Sequence, residues 1–190
     1  MPAERVECAK GLARVGLKEF AARLVSSVDL IACDLVWQGI ESLAACGQAE
    51  RAIAVCCNYV SRADIDALDK MEALGKLGDA VSKEIARGLI VGVAESTECD
   101  VSASARGAEL LHTLGFKTEA RSILFKIVAS PILDGSDALW IADTLLLCHL
   151  PFTAQRVLGS LDRDSLDIEE RQRHMKLQSE ARFAQIGSAN

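Results

Sequence analysis

The sequence has little proline and few aromatic residues. Three prolines occur in 190 residues, and Phe, Trp and Tyr together make up 4% of a chain that is 50% apolar. Because proline breaks helices, its scarcity leaves long helical segments uninterrupted. No run alternates β-branched and polar residues between turn residues, which is the pattern of a half-buried strand. The composition therefore favours an all-α protein with a core of Leu, Ala, Val and Ile.

Membrane, secretion and nucleic-acid signals are also missing. The apolar stretch 88–94 is far shorter than the roughly 18 residues of a membrane span. The first residues lack the apolar segment that follows the basic start of a signal peptide. The net charge of −6 argues against a surface that binds phosphates through clustered Lys and Arg. We expect a cytoplasmic protein with no membrane span and no nucleic-acid partner.

The common catalytic and metal motifs are absent. The sequence contains no His-Glu-x-x-His, no Gly-x-Ser-x-Gly and no phosphate-binding glycine loop. Its cysteines include no Cys-x-x-Cys pair, and we interpret them as reduced core thiols; they are Cys8, Cys33, Cys46, Cys56, Cys57, Cys99 and Cys148. No catalytic residue, cofactor or bound metal is predicted. One alternative stays open, a thiol- or metal-dependent site built from Cys148, His149 and His112.

What the sequence does contain is a pattern that occurs five times. We align it on five turn residues, which are Gly16, Gly47, Gly78, Gly115 and Leu150, spaced by 31, 31, 37 and 35 residues. Four residues before each anchor stands a leucine, and these are Leu12, Leu43, Leu74, Leu111 and Leu146. Ten residues before stand other apolar residues, among them Trp37 and Trp140. Apolar residues recur at intervals of three and four on both sides of each anchor, which is typical of amphipathic helices.

The pattern predicts five helix-turn-helix repeats within residues 1–163. The pairs are expected at 3–28, 30–60, 63–93, 101–129 and 135–161, stacked so that the repeated leucines, Trp37 and Trp140 form a shared core. The polar connection 95–100 is a candidate boundary between two sub-bundles. Asp100 or Ser102 is a candidate cap for the helix after this connection, and Asp134 or Ser136 for the next helix pair. Pro131 is expected just past a helix end, and Pro151 at the start of a helix.

Residues 164–187 have a different character and predict a single capping helix. Asp167 and Glu170 have the spacing of a capping box at its start. Leu177, Ala181 and Ala184 are expected to pack on the last helix pair. A polar outer face would then close the stack, as terminal repeats require.

The segments Gly47–Ile53 and Gly115–Ala120 resemble the inter-helix turn of tetratricopeptide repeats. The small alanine that follows this turn in the family occurs at Ala21, Ala52 and Ala120, whereas Lys83 and Gln155 stand at the same alignment position in the third and fifth repeats. Trp37 and Trp140 are similar to the family's helix tryptophan, one residue out of register. The resemblance implies a right-handed solenoid whose first helices line a groove.

The surface of that groove suggests a partner. Six residues before the anchor, three consecutive repeats have Glu41, Glu72 and Glu109, and a helical wheel places them away from the repeated leucines. Flanking basic residues include Lys76, Arg106 and His112. Such a row is either a solvated helix face or a binding surface for a basic or amphipathic helical segment of another protein. The hypothesis is a non-enzymatic adaptor, chaperone or assembly factor; self-association through Trp37 or Trp140 is a further alternative.

Overall fold

The computed structural model describes residues 1–31, 35–96, 100–129 and 134–187. These residues form eleven α-helices and no strand, which confirms the all-α prediction. No described helix has the length and hydropathy that crossing a membrane would require. The chain divides into two compact units, Met1–Val93 and Ala94–Asn190, beside the polar connection 95–100.

Unit 1 contains three helix pairs in chain order. They are α1 (Pro2–Arg14) with α2 (Lys18–Ser26), α3 (Val36–Ala45) with α4 (Ala49–Val60), and α5 (Ala67–Ala80) with α6 (Lys83–Ala94). The last residue of α6, Ala94, already belongs to unit 2. Helix α1 packs against α2 and α3, and α3 packs against α4 and α5. The first helices of successive pairs therefore contact one another in order, as in a helical repeat.

Unit 2 contains two further pairs and a final helix. The pairs are α7 (Val101–Leu114) with α8 (Lys117–Val128), and α9 (Gly135–Leu147) with α10 (Pro151–Ser160). Helix α7 contacts both α8 and α9, and the last helix, α11 (Ile168–Gly187), packs on α9 and α10.

A shared backbone motif marks the turn inside four of the pairs. One turn residue has a positive φ, at Gly16 (88°), Gly47 (76°), Gly115 (102°) and His149 (58°). The next N–H donates to the carbonyl five residues earlier, in the bonds Leu17–Leu12, Gln48–Leu43, Phe116–Leu111 and Leu150–Leu145, at 2.8–2.9 Å. A left-handed residue closing a helix in this way is a common C-terminal cap, and it favours glycine.

The third turn lies three residues later than Gly78. Gly78 is buried inside α5, and the equivalent hydrogen bond runs from the Ser82 N–H to the Leu77 carbonyl at 3.1 Å. The equivalent of the glycine is therefore Val81, whose φ of −128° needs no glycine. In the fifth repeat the equivalent is His149 and not Leu150. The structural anchors are thus residues 16, 47, 81, 115 and 149, spaced by 31, 34, 34 and 34 residues.

With these anchors the repeat is more regular than the sequence alignment indicated. The leucine four residues before the anchor is present in all five repeats, at Leu12, Leu43, Leu77, Leu111 and Leu145. Leu12 is half-buried and the other four are buried. An alanine five residues after the anchor also occurs in all five, at Ala21, Ala52, Ala86, Ala120 and Ala154, and each is 0% exposed. Lys83 and Gln155 are therefore not at the small-residue position.

Two predicted core leucines change position in this register. Leu74 is fully buried, but it lies seven residues before its anchor. Leu146 is half-buried, because its neighbour Leu145 takes the core position.

The tryptophans are not core residues. Trp37 is 37% exposed and Trp140 is half-buried. In α3 the buried stripe passes through Val36, Ile40 and Leu43 instead, a spacing of four and three residues. Trp37 lies next to this stripe, so the core prediction is wrong for it.

Several predicted helix ends are confirmed. Asp100 accepts a hydrogen bond from the Ala103 N–H at 2.6 Å, Asp134 accepts one from the Asp137 N–H at 2.8 Å, and Pro151 begins α10. Asp167 and Glu170 form the predicted capping box, with reciprocal bonds to the Glu170 N–H (2.8 Å) and the Asp167 N–H (3.0 Å). Pro131 lies outside the described residues.

Helix α11 buries one face and exposes an apolar one. Leu177 and Ala181 are buried as expected, whereas Ala184 is exposed. The prediction of a polar outer face is wrong, since four large apolar side chains there are 59–74% exposed: Ile168, Met175, Phe183 and Ile186. Their spacing keeps them within about 80° of one another on a helix of 3.6 residues per turn.

Candidate functional site

The first helices of unit 1 share a charge network. The Glu41 carboxylate on α3 binds Lys10 Nζ of α1 at 2.7 Å through one oxygen and Lys76 Nζ of α5 at 2.9 Å through the other. The side chain of Lys10 is 28% exposed, that of Glu41 30% and that of Lys76 43%. One carboxylate thus connects three consecutive first helices on a half-exposed face, which we call the unit 1 face.

Both lysines affect the ionisation of this carboxylate. Hydrogen bonds from Lys10 and then Lys76 hold the pKa of Glu41 below its usual 4.5, and Glu41 in turn raises the pKa of Lys76. Because the folded-state pKa is lowered, the stabilisation is present above pH 4.5 and is lost as the pH falls through the lowered value. At neutral pH the negative charge of Glu41 is therefore compensated from two sides.

The three predicted glutamates do not share one repeat position. With the structural anchors, Gly75 lies six residues before the third anchor, and Glu72 lies nine residues before it. Glu72 appeared to belong to the row because the alignment used Gly78 as the anchor. Glu41, Glu72 and Glu109 are all half-buried residues of first helices.

An exposed tryptophan lies beside the network in unit 1. Trp37 precedes Glu41 by one helical turn on α3, so both side chains lie on the same side of that helix. Tryptophan carries a large apolar surface together with one hydrogen-bond donor. The unit 1 face thus combines an aromatic residue with paired charges.

In unit 2, the predicted basic residues Arg106 and His112 contact different partners. Arg106 pairs with Glu109 at 2.9 Å within α7. His112, in the last turn of α7, lies against His149, with the ring centroids 5.7 Å apart and the planes at 67°. The structure therefore brings the two predicted histidines together.

Cys148 is close to this pair in sequence but differs in its chemistry. It is 0% exposed, and burial raises the pKa of its thiol to about 11, so the thiol is protonated at neutral pH. Among the described residues, no group of three His, Cys, Asp or Glu side chains could hold a metal ion. The thiolate that a cysteine nucleophile or ligand requires is therefore not favoured at Cys148.

The remaining cysteines agree with a role in packing. Cys46 and Cys56 are buried, Cys57 is half-buried and Cys8 is exposed. Burial raises the pKa of Cys46, and it raises that of Cys56 to about 12. Cys33 and Cys99 lie outside the described residues.

Sequence reasoning missed two features of these faces. The first is the pairing of Lys10 with Glu41; both stand six residues before their anchors, and opposite charges at one position of consecutive repeats were the available signal. The second is a cleft of about 280 Å³ in unit 2, lined by Ala94, Glu95, Ser104, Ile123, Lys126 and Ile127.

Comparison with known proteins gave no relative: no family model, no curated protein and no solved structure matches this chain.

Proposed function

We propose that this chain is a non-enzymatic, tetratricopeptide-like repeat module that binds a segment of another protein. The observation that carries the proposal is the recurrent register, in which a leucine precedes and a buried alanine follows every turn. Three of the four spacings equal the 34-residue period of tetratricopeptide repeats. Adaptor, chaperone and assembly factor are the roles that suit such a module, and a reducing cytoplasm suits its free cysteines.

The chemistry of the unit 1 face suggests what it binds. A strongly basic ligand would have to compete with Lys10 and Lys76 for Glu41, because both carboxylate oxygens already accept from lysines. Trp37 offers apolar contact area that needs no such exchange. We therefore propose an amphipathic helical segment as the ligand, with its apolar side on Trp37 and its polar side near the charge network.

The test compares two exposed aromatic residues of unit 1. Trp37→Ala removes the aromatic residue of the first-helix face, and Phe20→Ala removes one that is 60% exposed on the second helix α2. Partners captured from native lysate by the wild-type chain are identified, and their affinities for the purified variants are then measured. We expect Trp37→Ala to weaken binding at least about fivefold, as for a central interface residue, and Phe20→Ala to leave it unchanged.

Circular dichroism must show that both variants keep the wild-type helix content. A partner that binds Trp37→Ala as tightly as the wild-type chain would contradict the assignment of this face. The alternative is that Trp37 contacts a second copy of the chain. Light scattering tests it, because self-association would raise the measured molar mass as the protein concentration increases.

A further inference from the structure

Unit 2 contains a pair of histidines that the proposed function does not use. His112 comes from the last turn of α7 and His149 from the turn between α9 and α10, and α7 and α9 contact each other directly. The centroids of the two rings are 5.7 Å apart. His149 occupies the left-handed turn position that three other repeats fill with glycine.

One nitrogen of this pair has no hydrogen-bond partner among the described residues. Nδ1 of His112 is buried and unpaired, whereas Nε2 of the buried His174 lies 2.9 Å from the Leu158 carbonyl. A buried polar atom without a partner costs about 1–3 kcal/mol, and in native proteins such atoms commonly mark a bound water or ion. The histidine pair therefore has an unused ligand atom.

We propose that His112 and His149 together bind one divalent transition-metal ion of the Zn²⁺, Ni²⁺ or Cu²⁺ class. Imidazole nitrogen suits these ions, unlike Mg²⁺ or Ca²⁺, which prefer oxygen. Two imidazoles on one tetrahedral Zn²⁺, with Zn–N bonds of about 2.0–2.1 Å, place their ring centroids about 5 Å apart. The observed 5.7 Å is close to that separation.

The surrounding charges are compatible with a metal at this pair. Burial lowers the pKa of His112, and the nearby His149, Lys117 and Arg121 lower it further, which is the direction that favours the neutral ring of a metal ligand. Lys117 and Arg121 repel a cation, but both are exposed and therefore screened by salt. Glu109, from the same side of α7, is held in its pair with Arg106.

The described residues supply no third ligand. Water or a group from a bound protein completes the coordination. We therefore expect weaker binding than at a structural zinc site with four protein ligands.

The experiment uses the three histidines of the full chain and Zn²⁺ as the probe. Histidine-ring NMR signals are followed during a Zn²⁺ titration, with His174 as the internal control. We expect the signals of His112 and His149 to shift together while those of His174 stay in place. His112→Gln and His149→Asn should each weaken this binding at least about tenfold, as loss of one of two protein ligands implies.

Asn is chosen at position 149 because it tolerates the left-handed backbone. If His112→Gln fails to fold, His149→Asn alone decides the test. The proposal is overturned if only one histidine responds, if His174 responds equally, or if the folded variants bind Zn²⁺ like the wild-type chain. The last result would place the Zn²⁺ at residues other than this pair. None of these outcomes depends on partner binding to the unit 1 face.

Discussion

The repeat register can be tested by placing the same side chain at two positions of α6. The structural anchor at residue 81 puts Ala86 at the buried small-residue position, and Ala86 is 0% exposed. The alignment on Gly78 puts Lys83 there instead, and the structure shows Lys83 exposed. Ala86→Met and Lys83→Met introduce the same residue in the same helix, three residues apart, so they separate the two registers.

The two variants should lose clearly different amounts of stability. Methionine at position 86 adds three heavy atoms to a fully packed site, and overpacking of this kind costs about 1–3 kcal/mol in the free energy of unfolding. Methionine at position 83 replaces one good helix former with another on the surface, where changes stay within about 0.5 kcal/mol. For a chain of this length, each kcal/mol corresponds to about 2–4 °C in Tm. Ala86→Met should therefore lower Tm by about 2–12 °C, and Lys83→Met by less than about 2 °C.

Thermal unfolding followed by far-UV circular dichroism measures both values, with helix content at low temperature as the control for folding. The reasoning is refuted if the two variants lose equal stability, or if only Lys83→Met is destabilised. Either result would mean that α6 does not pack through Ala86.

Two further predictions concern the other elements. Leu177→Ala should destabilise the protein by about 2–5 kcal/mol because Leu177 is buried in the packed face of α11. Phe183→Ala, on the exposed face of the same helix, should change stability by less than about 0.5 kcal/mol. Equal losses of stability in denaturant unfolding would contradict the assignment of the two faces. Native Cys148, with a thiol pKa of about 11, is about one part in a thousand thiolate at pH 8, so alkylation mapped by mass spectrometry should label the exposed Cys8 first and Cys148 only after unfolding. Rapid labelling of Cys148 in the folded chain would show that its burial is wrong.

The helix pairs could be predicted from sequence because their signals are local. Apolar residues three and four apart define a buried stripe, and the capping residues Asp100, Asp134 and Asp167 stand where the structure begins its helices. These features depend on short stretches of chain, so one sequence is sufficient to recognise them.

The positions of two turns could not be predicted in the same way. Glycine marks a helix end when the chain needs a positive φ, as at Gly16, Gly47 and Gly115. Gly78 lies inside a helix, and the real turn at Val81 has no left-handed residue, so the glycine signal is misleading there. At His149 the left-handed residue is present but is not glycine. Burial of Ala86 and Ala154 identifies the correct register, and burial is a property of the tertiary structure.

For the charged surface, the sequence predicts the side of the helix on which a residue lies but not its ion-pair partners. Helical periodicity places Glu41 on the side away from the core, but the two lysines that share its carboxylate come from helices 31 and 35 residues away in sequence. Ion pairs between helices depend on the distance between the helices and on side-chain rotamers. The periodicity of the sequence gives neither. The same holds for the outer face of α11, where a helical wheel separates two faces without showing which one is covered.

The ion pairs on the unit 1 face determine how the proposed partner binding should depend on salt. An unpaired row of glutamates would attract a basic ligand through long-range electrostatic forces, and its affinity would fall steeply with salt. The Glu41 carboxylate already binds two lysines, so it leaves no uncompensated negative charge for a basic ligand. In the proposed binding mode the neighbouring Trp37 contributes through apolar contact, which salt does not screen. Partner binding by this face should therefore depend weakly on ionic strength. A steep decrease in affinity between low and physiological salt would show that charge, and not Trp37, dominates recognition.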